Sequence, residues 1–262
     1  MEVIIQQNSQ QLSVIAAKII RDAIRAKPDL VLGLATGSTP IGLYKLLVQM
    51  HQEKDLDFSR VVTFNLDEYI GIPQDHPQSY HTFMAKHFFD HVNIPKKNQF
   101  IPQNIVDNHV VFCQEYEDSI RSSGGIDIQV LGIGKDGHIG FNEPGSSFAS
   151  RTRMATLSKS TLEANAVHFK DDINAVPEMA ITMGIGTIME AKQCLLLASG
   201  SAKKDAIAKT IEGPIGAMVP ASALQMHPKT VFLIDEAAAS GLSEIDYYKR
   251  AYNNKIKYIQ PE

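Results

Sequence analysis

At 262 residues the chain is long enough to bury a full core with no disulfide or metal staple. Its 25 Lys plus Arg against 29 Asp plus Glu leave a net charge of −4, with no basic stripe anywhere, which argues against nucleic acid as a partner. Cys113 and Cys194 match no CxxC or zinc spacing and read as buried free thiols of a reducing compartment.

Residues 1–20 show neither a charged leader nor an apolar run of membrane-spanning length, so a cytoplasmic chain with no membrane partner is expected. They read as a short strand, a cap at Asn8 or Ser9, and an amphipathic helix reaching about Lys27. Further along, apolar runs at 30–34, 61–66, 126–133, 194–198 and 231–234 lack polar alternation, as strands covered on both faces do. Helical spacing fills 41–52, 79–91, 109–122 and 202–211. The alternation predicts an α/β fold with a mostly parallel sheet, in a single domain over residues 1–262. Residues 32–39 and 195–202 echo each other as strand, hydroxyl-and-glycine turn and helix start.

Ligands of open α/β sheets bind beyond the carboxyl ends of the strands, so the turns after each run are informative. After the first comes Thr36-Gly37-Ser38-Thr39-Pro40. Thr39 reads as the cap and Pro40 as the first helical residue. The free N–H groups there favour an anion, and the reading is a phosphate cradle or an ordinary capped helix start. After the 194–198 run, Lys203 and Lys204 fall in a first helical turn, against the macrodipole unless an anion is near. Two solvated lysines are the alternative. After 61–66 stand Asp67 and Glu68, a carboxylate pair suited to proton transfer at a sugar carbon, or else a helix cap or surface acids.

The densest stretch is residues 132–144. It contains GxGxxG at 132–137, but a second glycine and proline stretch follows where a dinucleotide fold needs a helix, so nicotinamide binding is set aside. Asp136, His138 and Glu143 instead give an imidazole with two carboxylate partners, as an acid–base relay requires. His87 and His91 share an i, i+4 spacing that reads as a helix face rather than a metal site. Asp235 and Glu236 read as loop charges.

Taken together, residues 35–40, Asn65-Leu66-Asp67-Glu68-Tyr69, residues 75–80, residues 136–144 and Ser150-Arg151-Thr152-Arg153 closely resemble the glucosamine-6-phosphate deaminase family. The resemblance runs in order to His227-Pro228-Lys229. It implies a doubly wound, mostly parallel Rossmann-like sheet with helices on both faces. It also implies a small amino sugar phosphate as partner, and a reaction needing no cofactor and no metal. Glucosamine 6-phosphate and water would give fructose 6-phosphate and ammonium. In that scheme His138 opens the pyranose ring, with Asp136 and Glu143 orienting it, and Asp67 takes the C2 proton. Thr36, Gly37, Ser38, Thr39 and Lys203 would hold the phosphate. Family members range from monomer to hexamer, so a homo-oligomer stays open. The 6-phosphogluconolactonases share the phosphate loop and are the alternative, as is an inactive sugar-phosphate sensor.

Two departures from the family pattern stand out. Val167 occupies the place of an arginine that ligates the phosphate, which leaves His168 or Lys170 as candidates to lean in. Ser146, Arg153 and Thr156 fit the effector site for N-acetylglucosamine 6-phosphate found in some members. Ala155 and Lys249 replace that site's lysine and tyrosine, so a vestigial site and hyperbolic kinetics are expected.

Overall fold

A computed structural model describes residues 1–104 and 108–259. The chain begins with β1 (Glu2–Gln6) and α1 (Ser9–Ala26). Asn8 caps α1, its side chain accepting the Gln11 N–H at 3.0 Å. Next come β2 (Val31–Leu34), α2 (Ile41–Gln52), β3 (Val62–Asn65) and β4 (Asp67–Tyr69). They are followed by α3 (Tyr80–His87), β5 (Gln99–Phe100), α4 (His109–Ser122) and β6 (Ile128–Leu131). β7 (Arg153–Thr156), α5 (Lys159–Ala166), β8 (Met179–Thr182) and α6 (Ile185–Met189) form the next group. The chain closes with β9 (Gln193–Ala198), α7 (Lys204–Ile211), β10 (Thr230–Asp235), α8 (Glu236–Ala239) and α9 (Ile245–Ile259).

Seven strands form a sheet in the order β1-β10-β9-β6-β2-β3-β5, parallel at every pairing. Its inner strands β2, β6, β9 and β10 are buried throughout, which is why they read as apolar runs without alternation. Helices surround this sheet, and the fold is the doubly wound, Rossmann-like one expected. From β2 the chain winds outward through β3 to β5, then returns to β6 on the other side of β2. The winding therefore reverses between β2 and β6, the place where doubly wound sheets leave a crevice beyond the strand carboxyl ends.

A feature absent from the sequence reading is a second sheet, β4-β8-β7, antiparallel and three-stranded. The expected run 61–66 ends because Leu66 leaves the main sheet: its N–H still bonds Leu34 O at 3.0 Å, while its carbonyl accepts from Met183 N at 2.7 Å. Asp67 and Glu68 are thus buried strand residues, not surface acids or helix caps. A small core of Tyr69, Phe141, Leu157, Phe169, Val176 and Ala180 sits against this sheet, apart from the main one.

Two expected helices are shorter. α3 stops at His87, where Phe88 leaves the helical region (φ −147°, ψ −61°) before a 3₁₀ turn over Phe89–His91. His87 and His91 are therefore not on one helical face, and His91 Nε2 lies 2.9 Å from Lys86 O. The helix expected over 202–211 begins as a 3₁₀ turn at Ser201–Lys203. Both cysteines are free and buried, as expected. Among the described residues no helix is long and apolar enough to cross a membrane.

Candidate active site

The turn after β2 lies at the winding reversal. Gly37 takes a left-handed φ of +102°, and Ser38 is exposed. Thr39 does not cap α2. Pro40 is the flanking residue, already helical at φ −77° and ψ −6°, and no side chain caps this terminus. The proline ring fixes φ near the helical value, so the chain enters the first turn directly from Pro40. First-turn N–H groups left without a side-chain partner suit an incoming anion.

From the far side of the crevice comes the turn after β9. Gly200 is held in a left-handed conformation (φ +90°) by Asp235, at the end of β10. That carboxylate accepts Gly200 N–H at 3.0 Å, Ser199 Oγ at 2.5 Å and Ala238 N–H at 2.8 Å. Asp235 is therefore a structural anchor and not a loop charge. Lys203 folds inward, its Nζ donating to Ile133 O at 2.6 Å, while Lys204 is exposed. Burial, and then the neighbouring Lys135 charge, push the Lys203 pKa down. The pair of lysines resolves into one inward-turned, half-buried cation and one solvated one.

Between these turns runs the loop after β6. His138 Nδ1 lies 2.7 Å from Asp136 Oδ1 and 3.8 Å from Glu143 Oε2. Close approach to His138 holds the Asp136 carboxyl below its ordinary range. Glu143 is steadied by Ser158 N–H, which donates to Oε1 at 3.1 Å. The imidazole lies over the loop's own backbone, since a β-carbon at Gly134 would stand 2.3 Å from the His138 ring. Gly134 and Gly137 thus make room for side chains, His138 and Val219, rather than for a pyrophosphate. The three donor groups lie within 4.8 Å of one another.

Asp67 completes the arrangement. It is only 6% exposed, and its Oδ2 faces Gly140. Burial, reinforced by the charge of Glu68, pushes its pKa up to about 8. An acid so placed exchanges its proton near neutral pH, as a base for carbon acids must. Around it stand Tyr69 and Tyr80, whose rings are 5.1 Å apart, with Tyr80 stacked on Phe141 at 6.1 Å. Tyr80 also hydrogen-bonds Thr36, which ties the Asp67 side of the crevice to the β2 turn.

Other expected residues fall differently. Val167 and His168 lie on a 3₁₀ turn after α5, both exposed. Phe169 anchors that turn, packed edge-on against Tyr69 at 5.8 Å. No hydrogen bond among the described residues joins His168 to Ser38, Thr39 or Lys203. Ser146 and Arg153 are brought together: the Arg153 guanidinium donates to Ser146 Oγ at 3.1 Å and to Asn142 Oδ1 at 2.8 Å. Thr156, by strand alternation, falls on the opposite face of β7 from Arg153. Lys249 pairs with Glu236 at 2.9 Å. A separate cavity of about 350 Å³, lined by Cys113, Glu117, Arg151 and Met154 among others, contains none of the relay or phosphate-turn residues.

Comparison with known proteins gives a consistent result. A relative from Shewanella woodyi, named glucosamine-6-phosphate deaminase, is 50% identical over 258 residues, covering 98% of this chain and 97% of that one. A solved structure of a monomeric glucosamine-6-phosphate deaminase superposes with a TM-score of 0.90 at 48% identity, covering 92% of this chain and 100% of its own. The 6-phosphogluconolactonase from Trypanosoma cruzi shares the fold at TM-score 0.76 and 22% identity, covering 92% of this chain and 97% of its own. Residues 6–233 match the family described as glucosamine-6-phosphate isomerases/6-phosphogluconolactonase, and the chain belongs to that family.

Proposed function

We propose that this chain is a glucosamine-6-phosphate deaminase, converting glucosamine 6-phosphate and water to fructose 6-phosphate and ammonium. The observation that carries the reading is one crevice holding two proton carriers of different kinds. Asp67 is a buried acid with a pKa near 8, and His138 is an imidazole flanked by Asp136 and Glu143. Relatives of that name match at 50% identity over nearly the full chain, which supports the same reading.

In this reading Ser38, Thr39, the α2 first-turn N–H groups and Lys203 hold the phosphate, with Thr36 and Gly37 shaping the turn. Fixing that remote group orients C1 and C2 against the acid–base residues. His138 moves the C1 hydroxyl proton to the ring oxygen, breaking the C1–O5 bond and leaving the open aldehyde. Asp136 and Glu143 orient the ring and support its charge. Ionised Asp67 takes the C2 proton, and the C2–H electron pair becomes the C1=C2 bond of an enolamine as the C1 oxygen takes the proton that the C2 ammonium group gives up. Asp67 returns its proton to C1. Water then adds to the iminium carbon C2, and ammonium leaves as the ketone forms. The arriving C2 ammonium group is a cation beside Asp67, so substrate itself favours the ionised base. A phosphorylated sugar does not cross a bilayer unaided, which supports the cytoplasm as the place of work.

Following ammonium release from glucosamine 6-phosphate, with 6-phosphogluconolactone as the parallel substrate, tests this directly. Ammonium production supports the reading. Lactone hydrolysis without ammonium, or binding without turnover of either, overturns it.

A further inference from the structure

Alternation along β4 sends its first two side chains to opposite faces. Asp67 looks into the crevice beside Gly140, and Glu68 looks away, toward the start of α3. Glu68 has 0% exposure, yet its carboxylate is surrounded by donors. Its Oε1 accepts Tyr69 N–H at 2.8 Å, and its Oε2 accepts Tyr80 N–H at 2.8 Å and His81 N–H at 3.1 Å. His81 Nδ1 is 2.9 Å from the same Oε2, and the imidazole is 22% exposed. Two of those N–H groups belong to the first turn of α3, where a negative charge is favoured. The third first-turn N–H, of Thr82, goes to Ser79 Oγ at 3.0 Å. Glu68 thus fastens β4 to α3, and α3 carries the Tyr80 that meets Thr36 and Phe141.

We propose that Glu68 and His81 are a positioning pair for Asp67: Glu68 fixes its strand and sets a negative field behind it, and His81, its Nδ1 2.9 Å from the Glu68 carboxylate, offsets part of that field. Neither touches the crevice side of β4. Burial first, and then the Glu68 charge, raise the proton affinity of Asp67. Other groups facing Asp67 do not compete for this role. The Tyr69, Tyr80 and Tyr116 hydroxyls are pushed up by burial and stay neutral through the working range. Thr182 and Asn142 are uncharged, and Arg153, one strand further, directs its guanidinium to Asn142 and Ser146. Asp136, His138 and Glu143 stand on the loop that carries Gly140 and are left unchanged by the variants below. Against Glu68, His81 is the one basic side chain in contact among the described residues.

The consequence for the reaction rests on Asp67 being the base, so the first readout avoids catalysis. The carboxyl ¹³C resonance of Asp67 is followed against pH in the wild type, Glu68→Gln and His81→Gln. Glu68→Gln should lower the Asp67 midpoint by about one pH unit, the effect of removing one nearby like charge. His81→Gln should move it the other way. The acid limb of kcat/KM for ammonium release should travel with the midpoint in both directions. If Glu68→Gln fails to fold, His81→Gln carries the test alone, since that side chain is partly exposed. Midpoints unmoved in the folded variants, even with kcat reduced, would reduce the pair to a structural anchor and overturn the proposal. If instead the wild type releases no ammonium while the midpoints move, the deaminase reading has failed and this one has not.

Discussion

Gly140 approaches Asp67 so closely that a β-carbon on it would stand 3.2 Å from the carboxylate Oδ2 and 2.9 Å from Thr182 Oγ1. Its φ of +57° is itself costly for any residue with a side chain. The loop that carries His138 is therefore set against the strand that carries Asp67 at a single glycine. Gly140→Ala should lower Tm, by about 1 kcal/mol of stability from the backbone alone. It should lower kcat by roughly tenfold to a hundredfold, because displacing the base by a fraction of an ångström spoils its approach to C2. Wild-type kcat in the variant would show that the contact does not set the geometry.

Asp67→Asn should lose roughly 10²–10⁴-fold in kcat, the usual contribution of a general base. It should also change stability with a definite sign. A carboxyl whose pKa is raised on folding to about 8 binds its proton more tightly in the native state, so its contribution to stability is fully present below its unfolded pKa. That contribution is lost as pH rises through about 8. The asparagine variant should therefore match wild type near pH 4 and melt higher, by roughly 10 °C, near pH 9. Thermal melts at both pH values check it, and a constant difference between them would count against a buried, ionisable Asp67.

Lys203→Ala should raise KM by about tenfold to a hundredfold, the range for losing a charged hydrogen bond, with a smaller change in kcat. Glucosamine without its phosphate should be a very poor substrate of the wild type. Similar turnover of the two sugars would remove the phosphate role from the crevice turns.

Val167 is 62% exposed, so an arginine there meets no packing obstacle. Val167→Arg should lower KM, since a guanidinium offers bidentate contact to a phosphate and an isopropyl group offers none. His168→Ala gives the companion measurement. A rise in KM that grows as pH falls from 8 to 6 would mean the imidazolium leans onto the phosphate, and an unchanged KM would mean that it does not.

Dialysis against a chelator should leave ammonium release unchanged. The proton transfers assigned to Asp67 and His138 balance without a Lewis acid, although Asp136, His138 and Glu143 are spaced closely enough to hold a divalent ion. Activity lost on chelation and restored by one metal would overturn the scheme.

The parallel sheet was legible because burial on both faces leaves β2, β6, β9 and β10 no polar alternation to hide in. The clustering of Asp136, His138 and Glu143 was legible because glycines and acids gather around one histidine over a few positions. The antiparallel sheet was not. Asp67–Tyr69 is three residues long and opens with two acids, the types least favoured in strands, so its strand character comes from pairing with β8 alone. Thr39 was misassigned as a cap because local pattern cannot say that the chain enters the first turn directly from Pro40. The role of Asp235 was invisible for another reason. Its partners Ser199 and Gly200 lie on a different strand end, and only the β9–β10 pairing brings them within reach.

The first strand of the molecule pairs with the last of the main sheet, Glu2 standing opposite Val231. During synthesis β1 thus waits, unpaired, for almost the whole chain to emerge before its hydrogen bonds can close. Contacts of such sequence separation are slow to form, and an exposed strand in the interval is open to wrong partners. Ribosome-bound chains ending before β10 should leave the β1 amides exchanging freely with solvent. Completion of β10 should protect them, which makes the sheet's outer seam the last part of the protein to become native.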